Sequence, residues 1–143
     1  MDHLSMLEIV RVMLMALILY LPVKDEPANQ LYKIVKRAAS KRKVELCQSI
    51  QELSERLRRP LFNFHVTILL AADRKDLLAI TSLAHFLSDM RIILVLPDHD
   101  PETIAKGHLL RPRFILWLDD DFTQMEIILK RMIDLYDDPV NRM

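Results

Sequence analysis

Five short apolar runs punctuate the chain, at residues 14–21, 44–47, 66–72, 92–96 and 114–118, and a helical pattern follows each. The runs are near-continuous rather than alternating, as expected of strands buried on both faces of a parallel sheet. After the first, Leu31, Ile34, Val35, Ala38 and Ala39 recur at helical spacing across 29–40. Ser49 with Glu52 makes a capping box ahead of Ile50, Leu53 and Leu57, and Pro60 lies beyond that helix. A third helix is predicted over 76–88, with Asp76 at its start and Leu77, Ile80, Leu83, Ala84 and Leu87 inward. Asp100 followed by Pro101 is a strong start signal, but Gly107 and Pro112 predict a short, weak fourth helix. The last helix, 122–136, turns Phe122, Met125, Leu129, Met132, Ile133 and Tyr136 inward and stops at Asp137-Asp138-Pro139.

Five βα units joined by right-handed crossovers predict an α/β fold, a three-layer α/β/α sandwich. Its sheet is parallel and five-stranded, with the flavodoxin-like order 2-1-3-4-5. Without repeats or linkers the chain reads as a single domain over 1–143, its core spanning about 13–136. Leu4, Leu7 and Val10 share one helical face in a short N-terminal extension, 1–12. The uninterrupted apolar stretch 12–21 is half the roughly 20 residues that a membrane helix needs. Leu21-Pro22-Val23-Lys24 after it is no cleavage site, so a cytoplasmic protein without membrane contact is expected.

Composition narrows the chemistry. Of 143 residues 51% are apolar and 28% charged, and 20 bases balance 20 acids, which fits neither a disordered tail nor a generally basic nucleic-acid binder. The lone glycine, Gly107, excludes GxGxxG loops, phosphate-cradling P-loops and GxSxG elbows. The lone cysteine, Cys47, excludes internal disulfides and multi-cysteine metal sites and reads as core packing. The five histidines show no HExxH spacing; His99, between Asp98 and Asp100, is the one placed to move protons. Charge is sorted along the chain: ten bases against five acids over 24–60, and ten acids against five bases over 98–138. That asymmetry favours head-to-tail association or a charged partner. Lys41-Arg42-Lys43 is too short, and too poor in neighbouring aromatics, to predict nucleic-acid binding.

Ligands of such sheets bind at the C-terminal edge of the strands, where Lys24, Asp25 and Glu26, then Asp73 and Arg74, then Asp98 to Asp100, then Asp119 to Asp121 should arrive. Clustered carboxylates suit a hard divalent cation, although an aspartate after a strand also caps the following helix. The order and length of the βα units, with the string Val23-Lys24-Asp25-Glu26-Pro27, resemble the receiver domain of bacterial response regulators across about 13–136. The resemblance implies a two-component signalling module. It places magnesium at the acidic pair Asp25 and Glu26, and Asp73 as candidate phosphoacceptor in an acidic pocket with Asp119.

The match departs from the family at each working position. Lys24 stands at the usual first acid, and Ala71 and Ala72 fill the expected acceptor place, leaving Asp73 late. Pro97 replaces the hydroxyl residue, and Asp119 lies where a lysine is expected. An aspartyl phosphate would then face negative charge without its hydrogen-bonding partners. The expectation is therefore a pseudoreceiver: a non-catalytic signalling or scaffold module that binds protein partners, a second copy of itself among them, without cofactor. Two alternatives stand beside it. One is a divergent receiver phosphorylated on Asp73 with magnesium; the other is a small flavodoxin-like enzyme using the carboxylate rim.

Overall fold

The computed structural model describes residues 16–61 and 64–137. Five strands, β1 (Ala16–Tyr20), β2 (Val44–Cys47), β3 (Phe64–Leu70), β4 (Arg91–Leu96) and β5 (Phe114–Trp117), form one sheet in the order β2-β1-β3-β4-β5. All four pairings are parallel, as the unbroken apolar runs predict. The helices are α1 (Glu26–Ala39), α2 (Ile50–Leu57), α3 (Arg74–Thr81), α4 (Ala84–Leu87), α5 (Pro101–His108) and α6 (Thr123–Asp137). The expected extension over 1–12 lies outside the described residues.

Alternation along the strands divides the core in two. Leu17, Leu19, Ile68 and Val95 pack with Leu31 and Val35 of α1 and with Met125 and Leu129 of α6. On the opposite face Ile18, Tyr20, Leu69 and Leu94 meet Leu53 of α2 with Leu77 and Ile80 of α3. Most of these side chains have no exposed surface, and burying each contributes roughly 2 kcal/mol relative to leaving it in water. The central strands are therefore apolar at nearly every buried position, Thr67 of β3 excepted, whereas edge strand β2 is half-buried.

Three differences from the sequence expectation have local causes. Helix α1 begins at Glu26, three residues early, because Asp25 caps it by accepting from Ala28 N–H at 3.0 Å. The helix expected over 76–88 begins at Arg74 and is broken into α3 and α4. The hydroxyls of Thr81 and Ser82 bond back to the carbonyls of Leu78 and Ala79, competing with helix propagation. The fourth helix, expected to be weak, is a regular eight-residue helix capped by Asp100. A Cβ at Gly107 would stand 3.1 Å from Cδ2 of both Leu94 and Leu96, so this glycine lets α5 lie close against β4.

In a parallel sheet every connection leaving a strand lies at one edge and every connection entering a strand lies at the other. The first edge carries the candidate site.

Candidate functional site

Asp25 and Asp73 arrive at that edge, and both are occupied within their own helices. Asp73 Oδ1 accepts from the N–H of Asp76 at 2.7 Å, making Asp73 the N-cap of α3. Asp76, expected at the helix start, instead reaches back from the first turn to accept the Ala72 N–H at 2.9 Å. Ser49 and Glu52 do the same at α2: Ser49 accepts from Glu52 N–H at 3.1 Å, and Glu52 takes the Gln48 N–H at 2.8 Å. Glu26, in the first turn of α1, accepts from the Gln30 side chain at 3.3 Å.

Asp76 has a second partner that connects it to the core. Tyr20, the last residue of β1 and 1% exposed, donates its hydroxyl to Asp76 Oδ1 at 2.6 Å. Burial, and then this bond, raise the phenol above its ordinary pKa. The strand-ending tyrosine and the aspartate three residues after a cap were the sequence signals for this contact, but only the fold pairs them across 56 positions.

The acids after β4 and β5 are held differently. Arg74 Nε donates to Asp98 Oδ2 at 2.9 Å, and its Nη2 lies 3.4 Å from Asp100. The Arg74 hydrogen bond is the main cause that holds Asp98 down at about 2. His99 stacks on Trp117 with centroids 4.5 Å apart and sits 3.1 Å from Asp119 Oδ1. The Trp117 indole N–H donates to the Asp98 carbonyl at 3.0 Å, and the Trp117 backbone N–H donates to Asp120 Oδ2 at 2.8 Å. Asp121 accepts from both the N–H and the hydroxyl of Thr123, which lowers its pKa. A cation therefore does stand at this rim, contrary to the simple picture of a purely acidic hollow. It is Arg74, already committed to Asp98 and Asp100.

Among the described residues no group of three or more His, Cys, Asp and Glu is placed to hold a metal ion. With Asp25 and Asp73 each spending an oxygen on a helix N–H, this donor set makes no ready cradle for magnesium. Cys47 is buried, and burial, with Glu45 adding to it, pushes its thiol up to about 11. A thiol so held stays protonated and unreactive at neutral pH. An open groove of about 640 Å³ runs between α1 and the start of α6, crossed by Arg37, which donates to Glu126 at 2.9 and 3.1 Å. No described helix is long and apolar enough to cross a membrane.

The fold has solved counterparts. A protein named as pilus assembly-related from Burkholderia pseudomallei superimposes with a TM-score of 0.63 at 18% identity, covering 85% of this chain and 90% of that one. A response regulator from Thermotoga maritima matches with a TM-score of 0.60 at 14% identity, covering 85% and 99%. The receiver domain of a Saccharomyces cerevisiae response regulator, crystallised with a histidine phosphotransfer protein, matches with a TM-score of 0.57 at 13% identity, covering 85% and 88%. No family model and no curated protein matches the sequence. The chain thus has the flavodoxin-like fold of receiver domains, as its βα units predict.

Proposed function

We propose that this protein is a receiver-like binding module that has given up the aspartyl-phosphate switch and acts through protein partners, without catalysis of its own. One observation carries the reading. The carboxylate nearest the acceptor position, Asp73, is the N-cap of α3, bonded to the helix it would have to leave. The cation next to it in the chain, Arg74, is paired with Asp98 and Asp100, and Asp119 brings a further negative charge to the rim. A phosphoryl group on Asp73 would break a cap worth about 1 kcal/mol and add charge where carboxylates already gather.

The partner surface in this reading is the β5 side of the sheet. β5 is an edge strand, and Phe114 on it, Leu109 just after α5, and Ile127 and Leu135 on α6 are exposed. The yeast receiver in the solved complex docks a protein, and two of the similar structures are named for pilus assembly. A cytoplasmic scaffold or signalling adaptor fits these features. Incubation with acetyl phosphate and magnesium tests the reading, with intact mass as readout. The mass is expected to stay unchanged; an added phosphoryl group lost on Asp73→Asn would overturn it.

A further inference from the structure

The fold re-sorts the charges. Along the chain the basic and acidic residues fall into an early and a late stretch, but in space the charges of the described connections fall onto opposite edges of the sheet. Connections leaving strands carry seven acids and a single base, Lys24, and Arg74 in the first turn of α3 pairs with two of those acids, Asp98 and Asp100. Among the described residues, connections entering strands carry seven bases and a single acid, Asp89, and one of those bases, Arg59, lies 3.6 Å from Glu45. Lys41, Arg42 and Lys43 lead into β2, Arg58 and Arg59 toward β3, and Arg111 and Arg113 into β5. The late stretch thus contributes Arg111 and Arg113 to the basic edge. The early stretch contributes Asp25 to the acidic one, while the buried Arg56 pairs at 2.7 Å with the partly exposed Glu45.

Helix ends explain part of this pattern. Asp25, Asp73 and Asp100 are caps, and acids favour helix N-termini. The basic edge is not explained that way, because Lys41, Lys43 and Arg113 lie beyond the last turns, where the helix dipole has faded. Five strands at about 4.8 Å spacing and three layers about 10 Å thick make each edge roughly 20 by 30 Å. That is about 600 Å² per copy, somewhat below the roughly 800 Å² of a standard interface.

We propose that the basic edge docks on the acidic edge of a second copy of this chain, so that copies stack head to tail. Opposite charges meet only in this arrangement; a twofold dimer through either edge would set like charges face to face. Because the contact joins two different surfaces, it propagates into a chain of copies instead of closing at two. With a Debye length of about 8 Å at physiological salt, the attraction acts only at close range and fades as salt rises. The inference rests on the reading of the domain as a protein-binding module, and it adds a second copy as a partner at the strand ends, apart from the β5 surface.

Sedimentation velocity tests it. At about 20 mM salt the average mass is expected to rise with concentration past that of a dimer, and at about 300 mM to return to the monomer. Lys43→Glu with Arg113→Glu blocks one end, and Glu26→Lys with Asp119→Lys blocks the other; far-UV circular dichroism checks that both variants fold. Each variant alone should be monomeric at low salt, and an equimolar mixture should form a discrete 1:1 complex through the two intact ends. A wild-type chain that stays monomeric at low salt, a blocked variant that still dimerises, or a mixture that does not assemble overturns the proposal. So does a monomeric chain whose basic edge instead shifts a DNA duplex in a salt-sensitive manner. The two readings fail separately: a chain that stacks yet accepts a phosphoryl group contradicts only the functional one, and a monomer that refuses it contradicts only this one.

Discussion

The acidic edge has two halves that spend their carboxylates in different ways. After β1 and β3, Asp25 and Asp73 bond backbone N–H groups three residues ahead, inside the helices they begin. After β4 and β5, Asp98 and Asp119 bond side chains from other segments, Arg74 at the start of α3 and His99 after β4. The first half is local and structural; the second is a surface network tying β3, β4 and β5 together. In the half where a receiver would do its chemistry, the acids serve the backbone, and the buried Tyr20 phenol bonds Asp76.

Breaking the first half should have the largest consequence. Asp76→Ala leaves the buried Tyr20 hydroxyl and the Ala72 N–H without acceptors, so a loss of about 3 kcal/mol is expected in urea unfolding. A change below about 1 kcal/mol would mean that the Tyr20 contact is incidental. Asp73→Ala removes one cap and should cost about 1 kcal/mol, whereas Asp73→Asn keeps the accepting oxygen and should unfold close to wild type. An equal loss for both substitutions would point to a charge-dependent role for Asp73.

The second half should show itself in titration more than in stability. Asp98 is depressed in the folded chain, from 3.8 to about 2, so its contribution to stability is present above about 4 and is lost as pH falls toward about 2. Arg74→Gln should move the Asp98 carboxyl back up toward its ordinary value, read by carbon NMR. An unmoved Asp98 would show that the Arg74 bond is not what holds it. The smallest expected effect is spectroscopic. His99→Ala uncovers one face of Trp117, the only tryptophan, and should shift its emission to longer wavelength without altering the fold.

The same division explains what could be read from the sequence. The strands, their order and the caps at Ser49 and Asp100 were legible because they depend on neighbours within a few residues, and apolar runs of that length have few alternatives in an α/β chain. Asp73 was legible as a residue at the edge but not as the cap, because Asp76 three positions later carries the same chemistry and offered an equally good start. Tyr20 with Asp76, Arg56 with Glu45, and Arg74 with Asp98 were not legible, since each pair is made by elements whose relative placement only the fold decides. Gly107 was misread for a related reason: its cost to an isolated helix is visible in sequence, while the two leucines it accommodates are not.

The central claim is that the edge beside β1 and β3 is a structural seam in which no phosphoryl group is received. Amide NMR during titration with magnesium and beryllofluoride, a phosphoryl mimic, addresses it most directly. The account predicts no saturable shifts confined to Asp25, Glu26 and Asp73. Saturable shifts converging on those three residues, accompanied by displacement of the Asp76 amide from its cap, would contradict it.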